Sequence, residues 1–158
     1  MSLKFPDHTD YLFFAERLAD FSRSILISEA KKLPKITLKN DASYVTETDR
    51  AVERRLRDEI LEKFPDHGII GEEFPDINRE ADFVWILDPI DGTAAFVAGI
   101  PVYGTLIALA WKGTPFIGII DHPLTDDRWV GVSNRVAFKN GQQIVTRSCV
   151  DINKAYAT

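Results

Sequence analysis

Cysteine occurs once in this 158-residue chain, at Cys149, which excludes an internal disulfide and a cysteine-based zinc cluster and agrees with a reducing compartment. A lone thiol of this kind is expected to act as a small buried or half-buried apolar residue. Basic blocks are missing too. With 19 Lys and Arg against 24 Asp and Glu the formal charge is −5, and no cationic run offers a footprint for nucleic acid or an anionic membrane. An anionic substrate would therefore have to be held by local cations. No apolar run reaches membrane-spanning length, and the first residues, with Asp7, Asp10 and Glu16 among them, lack the basic start and apolar core of a secretion signal. These absences point to a soluble, cytoplasmic protein with no nucleic-acid and no membrane partner. Internal repeats and low-complexity tracts are also absent. The apolar fraction of 45% is that of an ordinary globular chain, and the length suits one domain, residues 1–158, better than two.

Helical spacing is clear twice. Phe14, Leu18, Phe21 and Ile25 recur on one face of a segment from about Thr9 to Lys32, ended by Pro34. Val52, Leu56, Ile60 and Phe64 form the stripe of a second helix, capped by Thr46 or Thr48 and ended by Pro65. The charges around that stripe, Glu53, Arg54, Arg55, Arg57, Asp58, Glu59, Glu62 and Lys63, read as a solvated face. Between the helices, 36–39 and 43–46 alternate as a short hairpin or extended loop, with Lys39 at the bend. Short strands follow at Gly68–Gly71 and Phe83–Leu87, separated by a polar, exposed connection from Pro75 to Asp82. Later strand signals run from Gly104 to Trp111, Phe116 to Ile120, Arg128 to Val132, Val136 to Phe138 and Gln142 to Val145, with Asn140-Gly141 as a type I′ hairpin signal. Two helices followed mainly by strands imply an α+β fold, two long helices packed on a mainly antiparallel sheet.

The stretch Phe83 to Gly99 concentrates the chemistry. A continuous apolar run, of the kind expected inside a sheet covered on both faces, stops at Asp88. Pro89 fixes its own φ, Gly92 permits unusual backbone angles, and Thr93 is placed to cap a short helix, 94–98, that ends at Gly99. Two carboxylates, Asp88 and Asp91, thus meet a turn and a helix start within six residues, a place for hard cations and for phosphate. Asp-Pro and Asp-Gly are also ordinary turn dipeptides. What lifts this pair above a turn is a second strand, 68–71, that ends in acids of its own, Glu72 and Glu73.

Gly71-Glu-Glu73, followed by Trp85-Ile-Leu-Asp-Pro-Ile-Asp-Gly-Thr93 and preceded by Val45-Thr-Glu-Thr-Asp49, closely resembles the signature set of the inositol monophosphatase family of Mg²⁺-dependent phosphatases. The resemblance covers about 39–141. It implies the N-terminal half of a layered αβαβα sugar-phosphatase-like fold, a metal-binding domain whose C-terminal partner domain, with a further metal-binding Asp, is absent from this chain. It implies two or three Mg²⁺ ions, with Glu72, Asp88 and the backbone carbonyl of Ile90 on the first and Asp88 and Asp91 sharing a second. Asp49 and Thr93, with Glu72, would serve catalysis near the attacking water. Lys39, Asp91, Gly92 and Thr93 would face the substrate, a small-molecule phosphate ester hydrolysed by metal-activated water. The full-length protein is expected to be a homodimer.

Within the family, Gly99-Ile-Pro-Val-Tyr-Gly-Thr-Leu-Ile-Ala-Leu109 and Gly118-Ile-Ile-Asp-His-Pro123 with Arg128-Trp129 look more like the histidinol-phosphate phosphatase branch, while Ala94 and Ala95 depart from the Thr-Asn common in the inositol branch. Histidinol phosphate is therefore the first expectation, and inositol phosphate or another sugar or nucleotide phosphate the second. A third reading is a non-catalytic interaction protein that keeps the fold. His122 reads as a sheet-edge residue, and Asp126 and Asp127 as a turn.

Overall fold

The computed structural model describes residues 5–32, 35–38, 44–133 and 136–155. Helix α1, Thr9–Glu29, buries Phe14, Leu18 and Leu26, and Asp7 Oδ1 accepts the Thr9 N–H and hydroxyl just ahead of its first turn. Strands β1, Ile36–Leu38, and β2, Tyr44–Thr46, pair antiparallel. Lys39, at the bend between them, lies outside the described residues. Helix α2, Glu47–Lys63, packs its Val52, Leu56 and Ile60 stripe against α1 and the sheet. Each of these side chains contributes about 1.5–3 kcal/mol by leaving water.

The remaining elements make one seven-stranded sheet, ordered as in sequence. Its strands are β3, Gly68–Gly71; β4, Phe83–Asp91; β5, Gly104–Trp111; β6, Thr114–His122; β7, Asp127–Val132; β8, Ala137–Lys139; and β9, Gln142–Ile144. Of its pairs only β3 and β4 run parallel, and the others are antiparallel. Asn140 and Gly141 both take positive φ, 49° and 77°, the geometry a two-residue type I′ turn demands. Helix α3, Thr93–Ala98, ends on a left-handed Gly99.

Pairing fixes which face each strand buries. The rows Trp85–Leu109–Ile117 and Leu87–Ile107–Ile119 are buried under α1 and α2. On the opposite face Ile86 and Ala108 are half-buried, and Ile120 is 44% exposed. The apolar run of β4 is therefore covered fully on one face, not on both, because α1 and α2 pack on the same side. Nor does the strand stop at Asp88. It continues to Asp91 through a register irregularity between those residues, so the expected sharp turn is a bulged strand end.

Of two expectations about surface character, one holds and one fails. The connection 75–82 is mostly exposed, as expected, although it is pinned: Ile77 exchanges two backbone hydrogen bonds with Ile69, at 2.8 and 2.9 Å, and Asn78 Nδ2 donates to the Asp66 carbonyl. Cys149 is exposed, since it follows the last strand in a segment with no buried residue between 145 and 150. His122 ends a central strand, its ring edge-on to Trp129, and so sits at a strand end rather than on an edge strand. Asp121 beside it is 1% exposed and receives Arg23 and Arg128, the latter at 2.6 Å, a pairing that ties α1 to β6 and β7.

Candidate active site

Asp49 reaches the site through a helix cap. The Thr46 hydroxyl accepts the N–H groups of Thr48 and Asp49 at 3.2 and 3.3 Å. Asp49 Oδ2 in return accepts the Thr46 N–H and hydroxyl at 2.7 and 2.5 Å. This is the reciprocal capping box, and of the two candidate caps it selects Thr46. Asp49 is fully buried. Burial raises its pKa, and the hydrogen bonds from Thr46 and Thr93 oppose that shift.

Its free oxygen faces the other segment. Thr93 Oγ lies 3.3 Å from Asp49 Oδ1 and 2.9 Å from the Ile90 carbonyl, so its one proton serves two acceptors and the nearer holds it more tightly. Thr93 is therefore not the cap that its place suggested. Gly92, at φ 86°, occupies the cap position of α3, and Thr93 spends its hydroxyl on α2 and on the β4 end. A Cβ on Gly92 would press on the Val102 carbonyl at 3.3 Å, which together with the positive φ explains why glycine stands there.

Parallel pairing brings the remaining acids together. Gly71 pairs with Leu87, so the next residues, Glu72 just past the end of β3 and Asp88 still within β4, come side by side. Asp88 Oδ1 is buried without a hydrogen-bond partner. Its pKa is pushed up to about 7 by burial and then by the charges of Glu72, Asp91 and Asp49, Glu72 being close enough to share a hydrogen bond with it. Three further acids thus bear on Asp88. Among the described residues no lysine or arginine pairs with Asp88. Glu72 and Asp91 are exposed, Ile90 is buried, and Gly92 is exposed at the turn. Among the described residues no group of three His, Cys, Asp or Glu side chains stands close enough to hold a metal ion by itself, so these carboxylates approach Asp88 without forming a complete ligand set. An unpartnered buried carboxylate oxygen amid three further carboxylates fits a hard divalent cation that keeps some of its waters.

Two charges read as solvated are part of this construction. Glu53 is 0% and Arg57 6% exposed, and Arg57 Nε donates to Glu53 Oε1 at 2.8 Å. The segment after β3 folds over that face of α2, and its backbone supplies the partners that make burial affordable. Asp49, Glu53 and Arg57 lie at i, i+4 and i+8, one ridge of the helix, and that alignment with a Glu-to-Arg pair was the available signal. A second support leaves no local sign in the sequence: Thr105 donates to the Pro89 carbonyl at 2.9 Å and is hydrogen-bonded to Ser22 of α1, with both hydroxyls buried.

The model of the inositol monophosphatase family matches residues 7–158. The chain belongs to the inositol monophosphatase family. It is 43% identical over 141 residues to the chloroplastic bifunctional phosphatase IMPL2 of Arabidopsis thaliana, a match covering 88% of this chain and 41% of that protein. A histidinol-phosphatase of Chlorobaculum parvum is 41% identical over 106 residues, 67% of this chain and 41% of its own. Among solved structures, an inositol monophosphatase from Zymomonas mobilis aligns with a TM-score of 0.76 and 41% identity, covering 92% of this chain and 56% of that one. The α+β architecture is that of the family, and the chain spans between two-fifths and three-fifths of the length of these relatives. No helix among the described residues is long and apolar enough to cross a membrane.

Proposed function

We propose that this chain is the metal-binding part of a Mg²⁺-dependent phosphatase that hydrolyses a small phosphate monoester, histidinol phosphate first. The observation that carries the reading is the buried, unpartnered Asp88 oxygen, with Glu72, Asp91 and Asp49 bearing on it. Glu72, Asp88, Asp91 and the Ile90 carbonyl are the donors assigned to the cation, an oxygen set of the hardness Mg²⁺ prefers. When bound, Mg²⁺ offsets phosphoryl charge and lowers the pKa of coordinated water.

The chain's own groups do the rest. Thr93 orients the attacking water by its hydroxyl oxygen, and Asp49, buried and raised in pKa, takes up the proton passed through that hydroxyl. Gly92 and Thr93 present backbone N–H groups to the phosphate at the start of α3. Histidinol phosphate is preferred because the Chlorobaculum relative, 41% identical over 106 residues, is a histidinol-phosphatase. Inositol phosphate is the second reading, supported by the Zymomonas likeness.

The test is calorimetric titration with Mg²⁺, paired with phosphate release from histidinol phosphate, inositol phosphate and sugar phosphates. Release would be measured with this chain joined to the remaining portion of a full-length relative. Mg²⁺-dependent release, fastest on histidinol phosphate and abolished by Asp91→Asn, is expected. Activity indifferent to Mg²⁺ or to Asp91→Asn would overturn the proposal.

A further inference from the structure

The Glu53 side chain has two oxygens and four donors. Oε2 accepts the N–H groups of Glu72 and Glu73 at 3.0 and 2.7 Å. Oε1 accepts the Phe74 N–H at 3.3 Å and Arg57 Nε at 2.8 Å. Arg57 then donates from its two terminal nitrogens to the Phe74 and Pro75 carbonyls, each at 3.0 Å. Three successive backbone N–H groups and two carbonyls of the segment that carries Glu72 are thereby fixed to α2. Gly71 makes this possible, since a Cβ there would fall 2.0 Å from Glu53 Oε1.

We propose that Glu53 is a positioning residue for the metal site: by fixing the backbone of residues 72–74 to α2, it sets where the Glu72 carboxylate stands relative to Asp88. The inference rests on the reading of Glu72 as a metal ligand. Geometry explains why a buried carboxylate is used here. Its partners are all donors, so only a group with two acceptor oxygens satisfies them. The same helix carries Asp49 one turn earlier, so one rigid element holds two of the converging acids in fixed relation. Outer partners of this kind commonly change metal affinity ten- to a hundredfold when altered.

Glu53→Gln is the direct test. It preserves shape, but its amide NH₂ must face either the Glu72/Glu73 N–H pair or Phe74 and Arg57, all of them donors. Val52→Ala, a buried apolar residue of the same helix turn, is the control for simple loss of stability. Two readouts are needed on each protein: amide hydrogen exchange at residues 72–74 without metal, and Mg²⁺ affinity by calorimetry.

Glu53→Gln is expected to accelerate exchange at 72–74 and to weaken Mg²⁺ about tenfold or more, while Val52→Ala leaves both near wild type. If Glu53→Gln does not fold, Arg57→Gln, which removes one arm of the clamp, should show the same pattern in smaller degree. Unchanged exchange at 72–74, or a loss of Mg²⁺ affinity no larger than that of Val52→Ala, would overturn the inference. Should the wild type bind no Mg²⁺, the metal reading falls. Exchange at 72–74 then decides the clamp alone, and protection there equal to wild type in Glu53→Gln ends that as well.

Discussion

Asp88→Asn should make the metal-free chain more stable and the metal-loaded chain less so, two effects of opposite sign from one atom. The carboxyl ordinarily titrates at 3.8 and is held up to about 7 in the fold, which means that its ionised form is less welcome folded than unfolded. Below pH 4 the group is protonated in both states and contributes no penalty. As pH rises from about 4 to 7 the unfolded chain gives up the proton first, and folding stability falls until the folded form ionises too. At about 1.4 kcal/mol per pH unit the ceiling of this penalty is about 4 kcal/mol. Asp88 is only half-buried and Glu72 and Asp91 are exposed, so solvent screening brings it to about 1–2 kcal/mol. Asparagine removes the charge, and the gain should appear above pH 7 as a rise in Tm of roughly 2–8 °C. Thermal unfolding in chelator at pH 8 and at pH 4 would measure it. Calorimetry with Mg²⁺ should show weakened binding in the same variant. An Asp88→Asn chain that is less stable than wild type at pH 8 without metal, or one that binds Mg²⁺ as tightly, would refute the placement of the unpartnered oxygen.

Thr105→Val deprives the Pro89 carbonyl and the Ser22 hydroxyl of a partner in a buried site and should cost about 1–3 kcal/mol in urea unfolding; a neutral result would mean that neither group depends on Thr105. Asp121→Ala strands two guanidinium groups, each of which keeps one exposed acid, Asp126 for Arg23 and Asp20 for Arg128. A loss of about 3 kcal/mol, at the low end for a broken buried pair, is expected by the same measurement. His67 is stacked between Phe64 and Phe83, 4.5 and 4.9 Å from their ring centroids, accepts the Trp85 Nε1–H at Nδ1, and has its pKa lowered by burial. Its contribution is present above pH 6.5 and is lost as pH falls through its folded pKa. In the Asp88→Asn background, free of the opposing slope, His67→Gln should flatten that part of the stability profile; an unchanged slope would place the titration elsewhere.

Much of this molecule could be read before folding it. The helical stripes at 14–25 and 52–64 and the hairpin at Asn140-Gly141 follow from local spacing and turn chemistry, Glu72, Asp88 and Asp91 stand out as acids at strand ends, and Asp49 is singled out only by the family resemblance. What escaped depends on contacts between distant segments. Glu53 and Arg57 flank the Val52–Ile60 stripe, and a helix considered alone cannot reveal that residues 72–75 will close over that flank. Thr93 stands where a cap would stand, yet Gly92 takes the position because its backbone can turn left-handed against Val102 and because Asp49 offers the Thr93 hydroxyl a partner. One-sided covering of β4 was hidden as well, since an apolar run is the same whether a second layer is present or not.

The shared direction of β3 and β4 determines what the chain can tolerate. Residues at matched positions of neighbouring parallel strands have backbones about 4.8 Å apart, and that spacing does not depend on how residues 79–81 find their way towards the second strand. Insertions at 79–81, beyond the residues that bond to Asp66 and Ile69, could accumulate without moving the acids. A single-residue slip within 68–71 or 83–87 would instead send one carboxylate to the opposite side of the sheet.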